Sequence, residues 1–140
     1  MLKLGQIVFR LMEARLSPMG LRIRHYSVLS SLSQSGPVSQ QDLGTYLRID
    51  GATMVATIDD LERCGYVARN RGAEDRRRSL VSLLPAGEAA LRQIEELFTE
   101  LDGEYLADIT ARQRDLLQKT MRKLSDGPTL VTAFDELRAR

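Results

Sequence analysis

Apolar side chains recur every three to four residues along most of this chain, and the interruptions divide it into helices. Leu4, Ile7, Val8, Leu11 and Met12 form one stripe, which predicts a helix over about 4–16, broken by Ser17-Pro18-Met19-Gly20. Tyr26, Leu29 and Leu32 are the inward positions of a second helix, about 24–33, closed by Gly36-Pro37. Ser39, with Asp42 three residues on, reads as the N-cap of a third helix over about 40–47. That helix is expected to bury Leu43 and either Tyr46 or Leu47, and Gly44 to admit another helix at close range. Asp50 caps a fourth helix, about 51–63, with Met54, Val55, Ile58 and Leu61 on one side and Thr53, Ala56, Thr57 and Asp60 on the other.

After Gly65 the period changes from helical to alternating. Tyr66–Arg69 and Leu80–Leu83 read as two strands, and the loop of about 10 residues between them projects as an arginine-rich wing. Pro85 then opens a long acidic helix with Leu91, Ile94, Phe98, Leu101 and Tyr105 on its apolar face. A capping box from Thr110 to Gln113 begins another helix, through about Leu124, carrying Leu116, Leu117, Thr120 and Met121. Ser125-Asp126-Gly127-Pro128 breaks it, and a last short helix is expected over 129–137. The fold class is therefore mainly α (α+β): a winged helix-turn-helix core with helical segments before and after it.

Two short helices meeting at a tight turn, followed by a basic hairpin, make a two-point grip on duplex DNA. The fourth helix is narrow enough for the major groove and would enter by its N-terminal turn, with Asp59, Asp60 and Glu62 pointing away. Taken alone, that helix reads equally well as an ordinary amphipathic surface helix. The hairpin beside it tips the reading towards DNA.

Length and composition constrain this picture only broadly. At 140 residues, 43% hydrophobic and 28% charged, the chain is read as one domain spanning 1–140. No apolar run approaches the roughly 20 residues of a membrane span, and the charged N-terminal helix does not resemble a secretory signal. A single cysteine, Cys64, provides no internal disulfide and suits a reducing, cytoplasmic setting. The net charge of +1 conceals segregation: residues 66–80 hold five Arg against Glu74 and Asp75, while residues 86–110 hold seven acids against Arg92 alone. Since phosphates respond to charge within a Debye length of about 10 Å, the hairpin is expected to face a polyanion and the acidic helix to face away.

Catalysis finds no foothold: there is no GxSxG, P-loop, dinucleotide fingerprint or Cys-His pairing. No His/Cys/Asp spacing suggests a metal, and no cofactor is expected. His25, the only histidine, is read as packing beside Tyr26, with the lining of a ligand cleft as second choice. The main competitor to DNA binding is a winged-helix module that binds protein, which the five hairpin arginines argue against.

The run from Asp75 to Leu84 (DRRRSLVSLL) resembles the wing signature of the MarR family of bacterial transcription regulators, Asp-x-Arg, five residues, then Leu-Thr. Leu21–Leu29 (LRIRHYSVL), Gly36–Leu43 (GPVSQQDL), Ile49–Val55 (IDGATMV) and Leu61–Val67 (LERCGYV) resemble that family in the same order, from about Leu4 to Leu124. The resemblance implies a homodimeric DNA-binding regulator, expected to be a repressor released from a pseudo-palindromic operator by a small aromatic or anionic effector. The winged core would span about 21–84, and 1–20 with 85–140 would form the dimerisation region through Leu4, Ile7, Leu11, Leu116, Met121, Leu130 and Phe134. By matching position, Asp75 would orient Arg77 into the minor groove, with Arg76 and Arg78 beside it, and the turn bearing Ala52, Thr53, Ala56 and Thr57 would face bases. Arg24, Ser39, Gln40, Arg69 and Arg71 are candidate phosphate contacts. Two departures stand out. Gly51-Ala52 replaces the family's common Arg-Ser, shifting discrimination to Thr53, Thr57, methyl contacts and DNA shape. Leu84 replaces the motif's closing Thr, whose hydroxyl would cap the following helix. The reactive cysteine of peroxide-sensing relatives lies in the first helix, where this chain has none, so Cys64 is read as a structural or incidental thiol.

Overall fold

The structure, a computed structural model, describes residues 2–71 and 79–138. The elements follow in the order α1 (Leu2–Leu16), a 3-10 turn (Ser17–Met19), α2 (Ile23–Ser35), β1 (Val38–Ser39), α3 (Gln40–Leu47), α4 (Gly51–Arg63), β2 (Val67–Arg71), β3 (Ser79–Leu83), α5 (Pro85–Tyr105), α6 (Ala111–Ser125) and α7 (Pro128–Arg138). The sheet is antiparallel in the order β1-β3-β2. Val67 pairs with Leu83 and Arg71 with Ser79, while β1 adds Val38 opposite Val81. A mainly helical chain with a small sheet beside a helix-turn-helix is the winged architecture that the sequence pattern implies.

The chain divides into two compact units, residues 1–98 and 99–140. In the first, one core joins Leu16, Leu21, Val28, Leu29, Leu32, Leu43, Met54, Ile58, Leu61, Val67, Val81, Leu91 and Ile94. The end of α1 and the start of α5 therefore share a core with residues 21–84. Tyr26 packs edge-on against Phe98, with ring centroids 4.9 Å apart and planes at 74°.

Caps fix the helix-turn-helix. Ser39 Oγ accepts the Asp42 N–H at 3.1 Å and donates to Asp42 Oδ2 at 2.6 Å. Asp50 Oδ1 accepts the Thr53 N–H at 2.9 Å. Between the helices Arg48 adopts a left-handed conformation, φ 56° and ψ 37°, unusual for a residue with a Cβ. On α3, Leu43 is buried and Tyr46 exposed, so Leu47 is the second inward residue. Gly44 does not admit another helix. A Cβ there would meet the Ile49 carbonyl at 3.2 Å, so the room is used by the turn's own backbone, whose Ile49 N–H bonds the Gly44 carbonyl.

A second glycine seats α5. The Tyr66 carbonyl accepts the Leu84 N–H at 2.9 Å and lies against Gly87 so closely that a Cβ would overlap it. Tyr66 itself donates to the Leu61 carbonyl at 2.9 Å, which ties the end of α4 to the start of α5.

In the second unit the Thr110 capping box is formed: Gln113 Oε1 accepts the Thr110 N–H at 2.8 Å, and Thr110 Oγ1 accepts the Gln113 N–H at 3.3 Å. No residue of α6 is buried in the single chain. Leu116, Leu117, Met121 and Leu124 lie open on it, as does Leu130 on α7. The side chain of Phe134 is outside the described residues.

Candidate nucleic-acid interface

Helix α4 turns its Met54, Ile58 and Leu61 into the core, which leaves Gly51, Ala52, Val55, Ala56 and Asp59 exposed on the opposite face. Ala52, Val55, Ala56 and Asp59 follow the i, i+3, i+4, i+7 spacing of one helical stripe. Two sequence expectations change here. Thr57 is not on the outer face: it is 0% exposed, and its hydroxyl donates to the Thr53 carbonyl at 2.7 Å. The hydroxyl proton is spent one turn back on its own helix, and burial keeps the remaining lone pairs from any base edge. Val55, expected inside, is instead 42% exposed. The face is rotated by about one side-chain position from the sequence reading, and the spacing of Val55 from Ala52 was the signal that could have found it. Ala52 and Ala56 lie on the exposed face as expected, with Thr53 half-buried at its edge.

The acids of α4 are drawn aside by specific partners. Asp60 turns towards α2 and Arg63, with Oδ2 3.4 Å from His25 Nε2 and 3.7 Å from Arg24 Nη2, and Oδ1 3.1 Å from Arg63 Nη1. Desolvation opposes ionisation of Asp60, yet the nearby His25 ring and the Arg63 hydrogen bond together hold its carboxyl below the ordinary range. Asp59 and Glu62 converge on Arg69 of β2. Arg69 Nη2 lies 2.7 Å from Asp59 Oδ1, Nη1 donates to Glu62 Oε2, and the Arg69 backbone N–H donates to Glu62 Oε1 at 2.8 Å. Nη2 also donates to Gln40 Oε1 at 3.1 Å, reaching α3. Burial works against the Arg69 charge, but Asp59 and Glu62 outweigh it and raise its pKa further.

The five candidate phosphate contacts thus part company. Arg24 is engaged by Asp60, Gln40 by Arg69, Arg69 also by Asp59 and Glu62, and Ser39 by the cap of α3. In these positions the side chains hold elements together before they hold anything else. Arg71 contributes a backbone pairing to β2, and its side chain lies outside the described residues, as do the wing residues Asp75, Arg76, Arg77 and Arg78.

His25 is buried, and its Nδ1 accepts the Arg22 N–H at 2.9 Å. An open cleft of about 380 Å³ is lined by Glu13, Ala14, Ser17, Gly20, Leu21 and Arg22, and His25 is not part of its wall. Among the described residues no cluster of His, Cys, Asp or Glu could hold a metal ion, and no helix is long and apolar enough to cross a membrane.

Comparison with known proteins agrees with this geometry. A sequence model of the MarR family matches residues 19–78, from the turn after α1 through β2. An HTH-type transcriptional regulator of Bacillus subtilis (strain 168), YwoH, is 30% identical over 118 residues, covering 84% of this chain and 85% of its own. The crystal structure of apo MarR from E. coli superposes with a TM-score of 0.75 at 26% identity, covering 86% of this chain and 90% of that one. The MarR family protein Rv2887 of Mycobacterium tuberculosis, in complex with salicylic acid, superposes with a TM-score of 0.72 at 28% identity, covering 87% and 90%.

Proposed function

This chain belongs to the MarR family of transcriptional regulators, and from that premise we propose that it acts as a homodimeric repressor at a pseudo-palindromic DNA operator. The observation that carries this reading is the exposed stripe Ala52, Val55, Ala56 and Asp59 on a helix capped at Asp50 and backed by the three-stranded sheet. A narrow helix with small outward side chains can lie deep in a major groove. The arginines at 76–78 would add a minor-groove contact beside it, Arg77 foremost, with Asp75 orienting it.

The exposed apolar faces of α1 and α6 support the dimer. Leu4 and Ile7 on one, with Leu116 and Met121 on the other, leave surface that a second copy would cover. Two copies would present two reading helices about one DNA turn apart. Release by a small aromatic or anionic effector draws support from the salicylate complex of the relative Rv2887. The setting is cytoplasmic, where such an operator lies.

The test is a binding titration against salt on duplexes selected by the purified protein. Affinity should fall log-linearly with salt at a slope of several units, since each neutralised phosphate contributes about 0.9. Failure to bind any duplex at low salt would leave the protein-binding module as the better reading.

A further inference from the structure

Arg69 is the residue whose surroundings fit its first assignment least. A phosphate ligand needs donors free to reach outward, yet this side chain is only 28% exposed and its Nη atoms are spent on Asp59, Glu62 and Gln40. Those partners sit on α4 and α3, while Arg69 itself is on β2. Glu62 is doubly committed, to the side chain and to the backbone N–H of the same residue. The strand that leads into the wing is therefore fastened to both helices of the helix-turn-helix through one planar fork.

We propose that Arg69 is a positioning residue for DNA recognition, setting the base of the wing in register with α4, and is not a phosphate ligand. The proposal rests on the reading of this protein as a DNA binder. Arginine suits the task because its five donors lie in one plane with fixed directions. A lysine keeps the charge but cannot satisfy two carboxylates and an amide oxygen on two different helices at once. The network also removes a conflict: Asp59 is on the exposed stripe, and pairing with Arg69 offsets a carboxylate that would otherwise repel phosphate.

The two roles differ in sign. Asp59→Asn combined with Glu62→Gln removes two negative charges per subunit from the DNA side and frees Arg69. If Arg69 were a phosphate ligand, this variant would bind DNA more tightly. Positioning requires the opposite, a loss of about tenfold or more on the selected duplex. Arg69→Lys provides the second arm, with net charge unchanged. It should lose about tenfold on the selected duplex, much less on random-sequence DNA, while its thermal midpoint stays within a few degrees of wild type. A purely structural contact would lower the midpoint and both affinities together.

Wild-type affinity for Arg69→Lys, or tighter binding by the double variant, overturns the proposal, and Arg69→Lys decides alone should the double variant not fold. If the unaltered protein binds no duplex at all, it is the DNA-binding reading that falls.

Discussion

Asp60 of α4 holds its Oδ2 3.4 Å from Nε2 of His25, a buried residue of α2. The other ring nitrogen accepts the Arg22 N–H, so the neutral ring carries its proton on Nε2, towards the carboxylate. Burial pushes the His25 pKa below its usual 6.5, and the charge of Arg24 pushes the same way. The nearby Asp60 carboxylate opposes this, and Arg22 adds a smaller lowering. A second proton would also have to occupy Nδ1 and displace the Arg22 N–H.

Stability should therefore fall with acid through this residue. The unfolded chain takes up a proton near pH 6.5 that the folded chain resists, so stability is level above that pH and declines below it towards the depressed folded pKa. Denaturant midpoints at pH 7.5 and 5.5 should separate more in wild type than in His25→Gln, whose amide oxygen can still accept the Arg22 N–H. Equal separation in both would acquit the histidine.

Gly87→Ala should destabilise the fold by roughly 1–3 kcal/mol, the range for overpacking a close contact. The added methyl would overlap the Tyr66 carbonyl oxygen and stand 2.8 Å from Leu83 Cδ1. A thermal melt unchanged from wild type would mean that the start of α5 is not seated as described.

Thr57→Val and Val55→Ser should behave in opposite ways. Valine at 57 keeps the shape of a buried residue, and selection from randomised duplexes should return the wild-type sequence. Serine at 55 alters the exposed face and should shift the selected sequence, with about tenfold weaker binding to the original, in the range of a lost base contact. An altered preference for Thr57→Val would restore the base-reading role that its burial removes.

Leu116→Glu with Met121→Glu should raise the dimer dissociation constant by at least about a hundredfold, because carboxylates would then be buried unpaired at the interface. Light scattering across a dilution series measures this. An unshifted dimer would place the interface elsewhere.

Arg77→Ala should weaken DNA binding about tenfold or more and leave the dimer intact. Affinity within twofold of wild type would take the wing out of recognition.

Local chemistry made much of this fold legible. The bounds of α3 and α4 follow from Ser39 and Asp50, whose short acceptor side chains stop the preceding segment and start the helix. Strand β1 was not legible: two residues have no period, and Val38 is a strand only because Val81 lies opposite. The outer face of α4 was legible to within one side chain, since Thr57 looks polar by type yet satisfies its hydroxyl internally. The Arg69 fork could not be read at all. Its partners lie 7, 10 and 29 residues away in sequence, and only the folded chain brings them to one guanidinium.

Arg48 has a consequence for how the two short helices are joined. A left-handed backbone costs a residue with a side chain about 1–2 kcal/mol, and glycine would remove that cost while widening the range of unfolded conformers. With arginine there, the bend has few alternative shapes to wander into. The joint keeps this shape because the caps and core on either side of it outweigh the local preference.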